Sequence, residues 1–199
     1  LSGHDNIAAR RGARALGTRI FEQRRGGLDG FDEEYERRLT EARERAGVSG
    51  RGDVLEYLNL KAANDSLRAR GVEWLLDGFA AAAGELNRAG AGLALARTEA
   101  HRFRVGHSTM VGARLVLRRG VRALTVEAGW PRAPRDGVVR GGGLASALVG
   151  HFGNSRAGEE LLLLPAGDAE ARWFVLERTG ARAELLEERL RHHVAQLMD

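Results

Sequence analysis

The sequence predicts an α+β protein, in which an N-terminal helical arm or hairpin is followed by an antiparallel sheet of about five strands and a C-terminal helix. Two observations carry this. Up to about residue 90 the apolar side chains recur at helical spacing, and from Gly90 onward they alternate in twos. Helical spacing returns at the end of the chain. The expected division is a helical region over 1–90 and a sheet domain over 91–199.

In the first helix, predicted over 6–25, Ala9, Ala13, Leu16 and Ile20 share a stripe with Arg10, Arg14 and Arg24 off it, and Gly26-Gly27 ends it. Asp29 to Asp32 offer caps for a second helix over 32–46, whose acidic first turn suits the macrodipole. A glycine-rich breaker at 47–52 follows. The third helix is predicted over 53–89: Leu60, Leu67, Trp74 and Ala81 lie seven residues apart, and Leu75, Phe79, Ala82 and Leu86 widen the face. Gly71 and Gly78 interrupt it one heptad apart, each costing about 1 kcal/mol in a helix interior. Either another helix approaches closely there or the helix kinks or breaks near Asn64-Asp65-Ser66. A long helical region of this kind implies a homo-oligomer formed through it.

In the sheet, Leu93 and Leu95 alternate with small residues, Phe103 and Val105 with Arg102 and Arg104, and Leu115 and Leu117 with Arg114, Val116 and Arg118. Arg119-Gly120 between two such runs marks a hairpin. With that turn, Ala113, Leu115, Leu117, Leu124 and Val126 share one face, and Arg114, Arg118, Thr125 and Glu127 the other. Strands at 160–164 and 172–177 are apolar on both sides, as in the middle of a sheet. A helix over 181–197 buries Leu186, Leu190, Val194 and Leu197.

At 43% apolar and 29% charged residues, the composition is that of a globular chain rather than a disordered one. No apolar run approaches a bilayer span. Neither a membrane partner nor a signal peptide is expected. The chain has no cysteine, which removes disulfides, thiolate nucleophiles and sulfur-ligated zinc, and fits a reducing cytoplasm. Lys61 is the sole lysine, and a GC-rich coding bias accounts for the arginine total.

The distribution of arginine is more informative. Residues 101–143 carry nine arginines against two acidic side chains, Glu127 and Asp136, and no acidic residue lies between Glu99 and Glu127. Solvent-facing sheets ordinarily mix both signs. Alternation sends Arg102, Arg104, Arg114 and Arg118 to one outward face. The segment 130–143, with two prolines, three arginines and a glycine triplet, leaves that sheet's end carrying Arg132, Arg135 and Arg140. If 144–149 is a helix, Gly141, Gly142 and Gly143 stand at its N-terminus and add backbone N–H groups to an anion site. If it is a strand, they are a loop. Trp130, beside the arginines, is the tryptophan placed to stack on a base.

Catalytic signatures are missing. The glycine triplet lacks the Gly-Lys-Ser/Thr of a P-loop, no Gly-x-Ser-x-Gly occurs, and Glu127-Ala-Gly lacks a nuclease lysine. Glu99, His101, His107 and His151 allow a metal or acid/base cluster to be drawn, but their spacing matches no ligand motif, and scattered histidines are ordinarily surface or core residues. No metal and no cofactor is expected. The sequence thus favours a module that binds a polyanion, nucleic acid first. A structural subunit of an oligomer is the alternative, and an enzyme of unknown type comes third.

Overall fold

The structure, a computed structural model, describes residues 37–48, 50, 52–167, 170–177 and 179–199. The helix expected over 6–25 and the caps at 29–32 lie outside these. The chain divides between Leu60 and Lys61 into two units. In the first, residues 37–48 are helical (α1), with Leu39 and Ala46 buried, and Arg43 donates to the Leu58 carbonyl.

Helix α2 runs from Gly52 to Arg88 without a break at Asn64–Ser66, a length of roughly 55 Å. It ends in a Schellman-type turn: Gly90 takes φ +91°, and Ala91 N–H reaches back to the Leu86 carbonyl. Asn87 then clamps the chain into the sheet, donating to Leu93 O and accepting from Leu93 N.

Seven antiparallel strands follow in sequence order: β1 (Ala94–Val105), β2 (Ser108–Arg119), β3 (Arg122–Trp130), β4 (Ala145–His151), β5 (Asn154–Pro165), β6 (Ala171–Leu176) and β7 (Arg182–Glu184). Helix α3 (Glu187–Ala195) closes the fold. The run at 144–149 is therefore a strand. The residues expected to begin the last helix pair with β6 as β7 instead, and Leu185, not Leu186, enters the core.

One face of the sheet, the helix face, packs on α2 and α3. Leu75, Phe79 and Ala82 of α2 and Leu190 and Val194 of α3 meet Leu115, Leu117, Leu124, Val126, Leu161 and Leu163 in a single core. Leu60, Trp74 and Ala81 are exposed, so the seven-residue spacing does not mark the buried stripe. The residues at 67, 71, 75, 79 and 82 do, because a straight helix on a sheet follows the 3.6-residue period.

Both helix glycines are explained by packing. A Cβ at Gly71 would meet the Leu163 side chain of β5, and the Gly71 carbonyl accepts from Trp173 Nε1 at 2.8 Å. A Cβ at Gly78 would lie 2.7 Å from Leu190 Cδ1. The first glycine thus admits the sheet, and the second admits a helix of the same chain.

The β2–β3 turn is Gly120-Val121, since Arg119 pairs with Arg122. This shifts each strand by one residue relative to the expected turn. The two shifts leave the face assignment intact, and Ala113, Leu115, Leu117, Leu124 and Val126 are all buried.

Strand β1 is different. Thr98 pairs with Arg114, but His101 pairs with Gly112, so one extra residue bulges between them, with Ala100 at φ +52°. A one-residue slip exchanges the faces of every side chain beyond it. Phe103 and Val105 consequently turn to the face away from the helices, where they form a second small core with Met110, joined by Val139 and Leu148.

Candidate functional site

The segment 131–144 covers this second core. After Trp130, Pro134–Asp136 makes a short 3-10 turn whose Asp136 carboxylate accepts from Ala133 N at 3.0 Å. Ser108 Oγ then donates to Val138 O at 2.8 Å and accepts from Val138 N at 3.2 Å, fastening the loop to the start of β2. Gly137, at φ +94°, lies so close to Ser108 that no Cβ fits. Gly143 likewise lies against Leu162 of β5. A second 3-10 turn, Arg140–Gly142, leads into β4. Because β4 is a strand, no helix N-terminus forms there, and the glycines serve as a loop.

This docking gathers five of the seven sequence-nominated arginines at one end of the sheet. Arg102 lies 3.5 Å from the Asp136 carboxylate, and Arg140 Cδ lies beside Gly106 in the β1–β2 turn. Arg132 stacks on Trp130, 3.9 Å from the ring centroid. Among the described residues, Arg104, Arg135 and Arg140 meet no carboxylate. We call this the loop end.

Two nominated arginines lie elsewhere. Arg114 and Arg118 occupy the face away from the helices, whereas the bulge turns Arg102 and Arg104 toward the helix side. The four therefore do not share a face, contrary to the simple alternation. Arg114 stands opposite Glu127 in the ladder, and Glu127 in turn meets His101 Nε2 at 2.5 Å. Arg118 lies at the opposite end, next to the β2–β3 turn. Trp130 is 7% exposed, with one ring face covered by Arg132, so it offers no stacking surface.

The histidines do not assemble as drawn from the sequence. Glu99 binds Arg97, His101 binds Glu127, and His107 sits in the β1–β2 turn. His151 instead meets His193 of α3, Nε2 to Nδ1 at 2.9 Å. The other His193 nitrogen lies 3.2 Å from Glu159 without the alignment of a hydrogen bond, and Arg189 grips Glu159 with bonds of 2.7 to 3.1 Å. Burial pushes the Glu159 carboxyl up, but His193 and Arg189 outweigh it and hold its pKa at about 2. Burial, with His193 next in effect, lowers the pKa of His151.

An open pocket of about 560 Å³ beside this cluster is lined by Arg156, Glu159, Arg189, His192, His193 and Gln196, with no hydroxyl or thiol nucleophile. The sequence carries a signal for the burial of His193: Leu190, His193, Val194 and Leu197 form one helical stripe, and all four are buried.

Among the described residues no group of three or more His, Asp or Glu side chains is arranged to hold a metal, and no helix is long and apolar enough to cross a membrane. Comparison of the chain with protein-family models, curated proteins and solved structures found no match.

Proposed function

We propose that the protein is a polyanion-binding module, with nucleic acid as its partner, and that the contact surface is the loop end: Arg102, Arg104, Arg132, Arg135 and Arg140. One observation carries this reading. Several arginines elsewhere have carboxylates, Arg97 with Glu73, Asp77 and Glu99, Arg172 with Glu184, Arg189 with Glu159 and Arg191 with Glu85. Arg104, Arg135 and Arg140, at the same end of the sheet, have none among the described residues. An end of the sheet that carries unneutralised arginines attracts anions, and phosphate is the anion that arginine matches in geometry. Contacts of this kind go to the nucleic-acid backbone and carry no base specificity.

The test is binding of duplex and single-stranded DNA and RNA by the parent and by the combined Arg104→Gln, Arg135→Gln, Arg140→Gln variant. The variant is expected to bind at least about tenfold more weakly, with little dependence on sequence. Equal binding by the two proteins would refute the assignment of the loop end.

A second reading, self-association through the helical region, has one supporting feature. The Trp74 side chain is 45% exposed on α2, beside an open groove of about 490 Å³ lined also by Leu67, Trp173 and Leu185. Gly71 and Gly78 do not support it, because their spacing is used within the chain. Light scattering of a Trp74→Ser variant distinguishes it: loss of an oligomer supports self-association through α2, and an unchanged mass removes it.

A further inference from the structure

The end of the sheet opposite the loop end carries two neighbouring turns. The β2–β3 turn is Gly120-Val121, the β4–β5 turn is Phe152-Gly153, and Phe152 N–H donates to Ala123 O at 2.8 Å, which holds the two side by side. Val121 is 88% exposed and Phe152 is 78% exposed. They are the bulky apolar tips of adjacent hairpins. Arg118, Arg119 and Arg122 flank the first turn and Arg156 follows the second, all of them exposed.

None of these four arginines pairs with a carboxylate among the described residues. Arg119 and Arg122 each give one N–H to a main-chain carbonyl at the end of α3, Met198 O and Gln196 O, which fixes their position and leaves their charge unneutralised. Glu159, further along β5, is held by Arg189, and Asp199 is the acidic residue nearest along the chain to these carbonyls.

We propose that this hairpin end is a peripheral docking surface for an anionic lipid bilayer, with Val121 and Phe152 at the headgroup boundary and Arg118, Arg119, Arg122 and Arg156 against the lipid phosphates. The pairing of protruding apolar tips with a cationic collar is what an interfacial site needs, since burial of the tips and attraction of the collar add. Nucleic acid would use the arginines and could stack on Phe152, but it would leave Val121 in water. A bilayer takes both tips. Such docking needs no spanning helix, so it departs from the sequence-based expectation of no membrane partner without requiring a buried segment.

The test uses the whole chain with phosphatidylcholine vesicles, with and without phosphatidylserine, in co-sedimentation. The protein is expected to sediment with phosphatidylserine vesicles and to remain in solution with phosphatidylcholine alone. The combined Val121→Ser, Phe152→Ser variant should lose about tenfold or more in vesicle affinity. Arg118→Gln with Arg156→Gln should lose about fivefold per arginine and become less salt-sensitive. All four positions are exposed, and Arg119 and Arg122 are left in place for their bonds to α3.

A second readout does not depend on loss of binding. Phe152→Trp should give emission that shifts to the blue on phosphatidylserine vesicles and is quenched by brominated lipid. Three results would overturn the proposal: no sedimentation with phosphatidylserine vesicles, unshifted emission from Phe152→Trp, or a Val121/Phe152 variant that loses nucleic-acid binding and keeps its vesicle affinity. Substitution of Arg104, Arg135 and Arg140 should leave vesicle binding unchanged, so failure of the loop-end reading is a separate result.

Discussion

Arg97 and Arg104 lie seven residues apart on the same strand, point to the same side of the sheet, and have opposite surroundings. Arg97, before the bulge, is met by Glu73 and Asp77 of α2 and by Glu99 on its own strand. The hydrogen bond it donates to Glu73 is the chief cause that keeps its pKa above the ordinary arginine value. Arg104, beyond the bulge, has no carboxylate. The sign of a strand's charges therefore says little by itself: in one place an arginine fastens strand to helix, and in the other the same residue type is left for solvent or a ligand. What separates the two is one extra residue at Ala100.

Removing that residue should have the largest effect on the molecule. Deletion of Ala100 restores regular alternation, sends Arg102 and Arg104 to the loop-covered face, and turns Phe103 and Val105 away from Met110. The expected loss is about 3 kcal/mol or more, because two large apolar side chains give up their burial. Urea unfolding measures it, and a loss below about 1 kcal/mol would mean that the second core contributes little.

On the helix side, Leu190→Ala should cost roughly 2 to 5 kcal/mol, because Leu190 is fully packed and fills the space that Gly78 leaves. A loss under about half a kcal/mol in the same assay would show α3 to be undocked.

The α3 cluster should also make stability fall on acidification, in two stages. His151 has a lowered pKa in the folded chain, so protonation below about 6.5 favours the unfolded state. Glu159 has a folded pKa of about 2 against an unfolded value near 4.5, so its contribution is complete above that value and fades as the pH falls toward 2. Because Glu159 is partly solvated, its share is about 1 to 2 kcal/mol. Thermal melts of the parent and of Glu159→Gln against pH check this. The variant should lose the lower stage, and an identical pH profile would contradict the role given to the carboxylate.

The parts of the fold that the sequence reveals are those in which a single period runs uninterrupted. The span of α2, the buried face shared by β2 and β3, and the cores of β5 and β6 follow from spacing alone, and the face assignment survives a misplaced turn because a shift of one residue on each strand preserves parity. The arginine surface does not survive, because a bulge has no compositional mark: Thr98-Glu99-Ala100-His101 contains no glycine or proline. Strand β4 is undecidable from an apolar run of six residues. Likewise β7 is hidden, since Arg182-Ala-Glu184 suits a helix start as well as an edge strand. The histidine pair depends on β4 meeting α3 across 42 residues of chain, which no local pattern records.

Substitution of either arginine alone should change stability least. Arg97→Gln leaves three carboxylates facing one another and should cost about 0.5 to 1 kcal/mol, whereas Arg104→Gln should change stability by less than about half a kcal/mol. Equal losses in urea unfolding would erase the distinction between a fastening arginine and a free one.

The same pair of arginines supplies the most direct measurement, the dependence of nucleic-acid affinity on salt concentration. For the combined Arg104→Gln, Arg135→Gln, Arg140→Gln variant, the slope of log affinity against log salt should become shallower by about 0.9 for each phosphate left without its arginine on duplex DNA, or about 0.7 on a single strand. Arg97→Gln, which removes the same charge from a site already occupied by carboxylates, should leave the slope of the parent. If the two variants shift the slope equally, or if neither shifts it, the unpaired arginines of the loop end are not what holds the polyanion.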